Sequence, residues 1–288
     1  MLDREEYIEQ AHLFVALAER NAMGASTQDL LSSVREEVLS TTKLPMAIDF
    51  LAAELKHAGL FNTAMAKLPH YFTPFQTYVV AEAERDTGKF DFLLALRILA
   101  SDARYRAAGA TPQGIFLYEF ESLARNRLGY DRGLEAIAGD NVFDSAWREW
   151  ITLVRRQVGL VDFADLIYVR SAHYARRQAA TSGAAGGESD ASAERPVLFG
   201  EGEGRIALAN RGKDPFFLFN ALHRHLAYPE VPRPPKVEES SLVVPQLMRR
   251  IERLEARLKL AEEELKGGID LSQFYGPGAG GQGSKTGP

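Results

Sequence analysis

The chain contains no cysteine. Disulfides, thiolate zinc sites and cysteine nucleophiles are thereby excluded, and the composition fits a reducing compartment. Long apolar runs are missing as well. The stretch from Leu166 to Val169 is hemmed by Asp162, Asp165 and Arg170, far short of the roughly 20 residues a membrane span needs. The opening Met-Leu-Asp-Arg-Glu-Glu has neither the basic nor the apolar region of a secretory signal. Basic charge is not in excess, because 34 Lys and Arg face 39 Asp and Glu for a net charge of -5. Nucleic-acid binding rests on neutralising phosphates, and no basic footprint for it exists here. Catalytic signatures are lacking too: no His-Glu-x-x-His, no Gly-x-Ser-x-Gly elbow and no kinase pattern. Gly200, Gly202 and Gly204 form Gly-Glu-Gly-Glu-Gly, but the two acids would repel a phosphate and no Gly-Lys-Ser/Thr follows. The expectation is a soluble, cytoplasmic protein with no cofactor and no nucleic-acid or membrane partner.

What is present is helix punctuation. At 288 residues, 45% hydrophobic and 25% charged, the chain suits one sizeable globular core with appendages. Asp3 with Glu6 predicts a capping box for a helix to about Arg20. Ser26 or Thr27 caps a second, with Leu30, Leu31, Val34, Val38 and Leu39 at helical spacing. Pro45 opens a third and Gly59 closes it. Thr73-Pro74 and Thr111-Pro112 begin two more, with another over 89–108 between them. Asp144 caps the helix bearing Trp147 and Trp150, and after Gly159 the helical pattern continues to about Gln178. Six to eight helices with short connections predict an all-α, bundle-like domain over 1–180. Residues 181–196, rich in Ala, Gly and Ser, read as a flexible linker. Residues 197–230 form a small helical segment too short to hold a core alone, so packing on the main domain is expected. A Pro-rich spacer spans 231–241, a coiled-coil helix 242–267, and a short apolar patch with a disordered tail 268–288.

The 242–267 segment carries the clearest pattern. Val244, Leu247, Ile251, Leu254, Leu258, Ala261 and Leu265 alternate spacings of three and four, the a and d positions of a heptad repeat. Arg250 and Arg257 fall at g, Glu255 and Glu262 at the following e, so a parallel neighbour sees Arg facing Glu. The run Arg250-Ile251-Glu252-Arg253-Leu254-Glu255 resembles the Arg-apolar-x-x-apolar-Glu pattern of short parallel three-stranded coiled coils. Basic residues crowd the start of this helix and Glu262 to Glu264 its end, which opposes the macrodipole and leaves an antiparallel dimer as the alternative. A homo-oligomer is expected, a parallel trimer or dimer first. The apolar patch at 269–275 is a candidate docking peptide for a protein partner.

Chemical candidates are fewer. Glu9 with His12 and Glu54 with His57 are Glu-x-x-His pairs, the spacing by which di-iron bundles present a carboxylate and an imidazole on one helix face. Glu9 lies nearly opposite its helix's apolar stripe, which argues against a metal there. Asp162 and Asp165 sit in an apolar context three residues apart, as neighbours on one helix; with arginines nearby they read as an ion-pair network or as a perturbed acid pair. His70 and Tyr71, at an aromatic- and proline-rich helix start, complete a candidate pocket with the two aspartates. The expected function is a non-enzymatic assembly or adaptor protein that self-associates through its C-terminal coiled coil. The alternative is a small-molecule or metal-dependent, di-iron-like enzyme within the helical domain.

Overall fold

The computed structural model describes residues 2–21, 26–85, 90–185 and 195–234, and in addition Met248, Ile251 and Leu254. Among the described residues thirteen helices follow one another with no strand. They are α1 (Arg4–Asn21), α2 (Thr27–Arg35), α3 (Leu44–Ala58), α4 (Phe61–Ala66), α5 (Pro74–Ala83), α6 (Phe92–Ala107), α7 (Pro112–Asn126), α8 (Tyr130–Ala138), α9 (Ser145–Gln157), α10 (Phe163–Tyr168), α11 (Ala172–Ala185), α12 (Glu201–Ala209) and α13 (Pro215–Leu226). The protein is all-α. None of these helices is long and apolar enough to cross a membrane.

Side-chain caps place most of the starts. Ser26, Thr73, Asp91, Thr111 and Asp144 each accept a backbone N–H from the first turn of the helix that follows. Such a cap is worth about 1 kcal/mol. Thr73 and Gln76 complete a reciprocal capping box at α5. The box expected at Asp3 and Glu6 does not form, because the Glu6 carboxylate is needed elsewhere: it accepts from the Lys43 N–H at 2.8 Å and from the Tyr71 hydroxyl at 3.1 Å. Gly59 ends α3 in the left-handed conformation at φ 71°.

Three sequence expectations need correction. The second helix stops at Arg35, so Val38 is buried from a turn and Leu39 is exposed rather than continuing the stripe. The pattern after Gly159 is two helices, not one. Asp162 is the N-cap of α10, its carboxylate accepting the Ala164 N–H at 3.0 Å, and the chain breaks at Val169 to Ser171 before α11. α11 then runs to Ala185, into the segment expected to be a linker; 186–194 lie outside the described residues. Short helices such as α4, α8 and α10 raise the number that begin before residue 180 above the six to eight expected.

One apolar core joins α1 to α13, with Trp150, Tyr118, Phe14, Phe61, Phe75, Phe116 and Phe199 among its fully buried side chains. Burying each such ring contributes about 1.5–3 kcal/mol. α1 packs along α6, α2 on α3, and α8 on α9. The 197–230 segment is stitched to α7: Gln113 donates to the Leu198 carbonyl at 2.7 Å and the Tyr228 hydroxyl donates to Glu121 at 2.7 Å; just beyond it Asn126 donates to the Pro232 carbonyl at 3.3 Å.

The Gly-Glu-Gly-Glu-Gly run begins α12, and its composition has a packing reason. A Cβ on Gly204 would lie 2.6 Å from Ser171 Cβ and 2.7 Å from His173 Cβ, while one on Gly202 would lie 2.5 Å from the His225 ring. Glycine lets α11 and α13 approach α12 closely. The intervening acids reach the same neighbouring helices, Glu201 hydrogen-bonded to His173 Nδ1 at 2.7 Å and Glu203 lying 3.3 Å from His225 Nε2. The hydrogen bond from His173 holds the Glu201 carboxyl below the usual carboxylate range.

The chain divides into two units, Met1–Pro234 and Pro235–Pro288. In the second, Met248, Ile251 and Leu254 are helical, with Ile251 52% and Leu254 55% exposed. The other heptad positions (Val244, Leu247, Arg250, Glu255, Arg257, Leu258, Ala261, Glu262 and Leu265) and the 269–275 patch lie outside the described residues. The packing at α12 generates a prediction for the first unit. Gly204→Ala should lower stability by about 1–3 kcal/mol through overpacking. Thermal denaturation followed by circular dichroism reads this, and an unchanged melting temperature would mean the helices are not in close contact there.

Candidate functional site

The first unit carries a groove of about 500 Å³ whose lining is mainly apolar. α7 supplies Phe120 and Ala124, one turn apart; α8 supplies Tyr130; the turn before α10 supplies Val158 to Val161; α10 supplies Phe163 and Leu166; α13 supplies Pro215, Phe216 and Phe219. The turn reverses at Gly159, whose φ of 84° a side chain would disfavour, and this pushes Leu160 outward. Leu160 is 84% exposed, and Val161, Phe216 and Tyr130, which line the same groove, are open to solvent.

The groove floor is an aromatic array. Phe120 stacks on Phe163 with ring centroids 4.4 Å apart and on Tyr130 at 5.6 Å, and Phe219 packs against both Phe120 and Phe163. Behind it Phe120 stacks on Phe116, which meets Trp147 and Trp150. The groove is thus continuous with the core. At its edge the Arg125 guanidinium lies 4.7 Å above the Phe216 ring while pairing with Glu121. Chemically the groove suits an apolar side chain or ring, because Asp162 is the one charged residue lining it and both its oxygens are engaged, by Ala164 N–H at 3.0 Å and Gly212 N–H at 2.6 Å.

A second cluster is buried. Arg106 on α6 donates through Nε to both oxygens of Asp102 at 3.0 and 2.9 Å and through Nη2 to Glu119 of α7 at 2.7 Å. Nη2 also lies 2.8 Å from Asp140 Oδ2, an ion-pair contact without hydrogen-bond alignment. Gln76 of α5 bridges Asp102 and the Gln10 side chain of α1, and Gln10 donates to the Tyr71 carbonyl. Arg106 is almost fully removed from solvent, as are the three carboxyls. Burial pushes the Asp102 and Glu119 carboxyls up, against the pull of Arg106. One guanidinium faces three carboxyls, and burial favours the protonated form of Asp102 and Glu119.

The residues singled out from sequence are dispersed. Asp162 lines the groove, whereas its presumed partner Asp165 pairs with Arg211. The two are a cap and a surface ion pair, not neighbouring acids on one helix. Tyr71 is buried with its hydroxyl on Glu6, and burial pushes its pKa up; His70 is exposed. The four do not form one pocket. Of the metal candidates, Glu9 accepts the Leu39 N–H at 3.0 Å, His12 lies 3.5 Å from a Glu37 already gripped by Arg20, Glu54 pairs with Lys67, and His57 is exposed. Among the described residues no three His, Asp or Glu converge as a metal ion would require. Sequence reading missed the Arg106 cluster and the aromatic groove. The available signals were Asp102 and Arg106 at i,i+4 and Glu119 inside the apolar run Ile115 to Phe120. Comparison with protein families, curated proteins and solved structures finds nothing that matches this chain.

The buried cluster separates charge from shape. Glu119→Gln keeps the shape of a protonated carboxyl and should fold, whereas Arg106→Met leaves several acids without a partner and should cost about 3–5 kcal/mol. A carboxyl raised in the fold binds its proton more tightly than in the unfolded chain. Its contribution is complete below the unfolded value and is lost as pH rises toward the folded one. Melting temperatures measured from pH 5 to 8 should then show Glu119→Gln gaining on the wild type with rising pH, and a pH-independent difference would contradict a protonated Glu119.

Proposed function

We propose that this protein is a non-enzymatic assembly or adaptor protein of the cytoplasm, in which the helical domain offers a binding surface and the C-terminal helix supplies valency. The observation that carries the reading is at Ile251 and Leu254. They occupy adjacent a and d positions of the heptad pattern, they are helical, and both are more than half exposed. A helix presenting its apolar seam to water gains by burying it against another helix. The g-to-e pairing of Arg250 with Glu255 and of Arg257 with Glu262 favours parallel chains, as a trimer or dimer. The opposed end charges of the helix make an antiparallel dimer the competing arrangement.

The 269–275 segment, Ile-Asp-Leu-Ser-Gln-Phe-Tyr, is then a short apolar peptide carried in several copies at one end of the assembly, suited to a protein partner. Valency raises the strength of such a contact without any new contact per chain.

In the full chain, Ile251→Asp with Leu254→Asp should leave the melting temperature of the helical domain unchanged. At low protein concentration the mass by light scattering should fall from a multiple of 31.9 kDa to 31.9 kDa. An unchanged mass would refute self-association through this helix.

A further inference from the structure

We infer that the aromatic groove between α7, α10 and α13 is a second, independent self-association surface, occupied by Leu160 of another copy of this chain across a two-fold axis. Three features of the patch lead there. First, knob and hole lie side by side. Leu160, at 84% exposure, stands on the rim of the 500 Å³ groove, held outward by the turn at Gly159. A two-fold contact needs one patch that complements itself, and a projecting leucine beside an apolar groove provides both halves at once.

Second, the area suits a weak contact. Leu160, Val161, Tyr130 and Phe216 leave roughly 400 Å² open together, about half of the ~800 Å² per partner that a stable interface covers. Aromatic side chains around a desolvated pocket are the kind of residue that dominates interface energy.

Third, the charge fits a second copy better than a charged partner. A two-fold axis sets each central charge near its own duplicate, which costs energy when like charges meet. The single acid lining this groove, Asp162, has both oxygens taken by backbone N–H groups, and Arg125 at the edge is held by Glu121 and Asn220. The groove lining therefore offers a charged partner no free counter-charge, and it brings no free charge of its own against its duplicate.

This contact adds to the C-terminal helix rather than replacing it. A chain whose helix gathers copies and whose domain face pairs them has two separate contacts through which copies can meet. Joining copies through the helix also raises the effective concentration at which the weaker domain contact forms.

The test separates the two surfaces by working in the full chain carrying Ile251→Asp and Leu254→Asp. Sedimentation velocity over rising concentration should show a monomer–dimer equilibrium in that background. Adding Leu160→Asp should weaken the dimer at least tenfold while leaving the circular dichroism melt unchanged, since so exposed a side chain bears little on folding. The inference is overturned if the background chain stays monomeric throughout, or if its dimer is indifferent to Leu160→Asp. Failure of the helix reading would show separately, as an unchanged mass between wild type and the background chain.

Discussion

The fold is organised around Arg106. A guanidinium sealed from solvent must find acceptors, and the three carboxyls that surround it are themselves too costly to bury alone. Asp102 lies one turn away on α6, Glu119 on α7 and Asp140 beyond α8, so satisfying Arg106 fixes these elements relative to one another. Gln76 and Gln10 extend the chain of donors and acceptors to α5 and α1, and Glu6 and Tyr71 carry it to the start of α3. Apolar packing alone lets helices slide and rotate at little cost. A buried polar network admits few alternatives, because each misplacement strands a charge.

The aromatic array performs a different task. It runs from Trp147 and Trp150 through Phe116 and Phe120 to Phe163 and Phe219 without a polar interruption, and it surfaces at the groove. The groove is the place where the core reaches water. Its walls come from helices held by the core and by bonds such as that from Trp150 Nε1 to the Leu166 carbonyl. The polar capacity nearby is already committed to caps and ion pairs. The groove is accordingly an apolar surface whose one charged lining residue is already engaged.

Local chemistry was legible wherever the determinant was a neighbour in sequence. Ser26, Thr73, Thr111 and Asp144 cap the next turn, and Gly59 takes the left-handed conformation, because those interactions span four residues or fewer. Legibility failed where a distant residue competed. Glu6 abandons its expected cap for Lys43 and Tyr71, and Asp162 becomes a cap bonded to Gly212 rather than a helical neighbour of Asp165. The Gly-Glu-Gly-Glu-Gly run was opaque for the same reason: its glycines answer to Ser171, His173 and His225, none of them adjacent in sequence.

By itself the sequence determined the helical class, most helix starts and the heptad pattern of 242–267, since periodicity and capping are written in spacings of three, four and seven residues. Tertiary structure alone decided which polar residues meet. Arg106, Asp102, Glu119 and Asp140 come together over 38 positions, and the groove draws on Phe120, Phe163 and Phe219 from three helices. Burial raises the Asp102 and Glu119 carboxyls, and burial is a property of how the helices pack, not of any one of them.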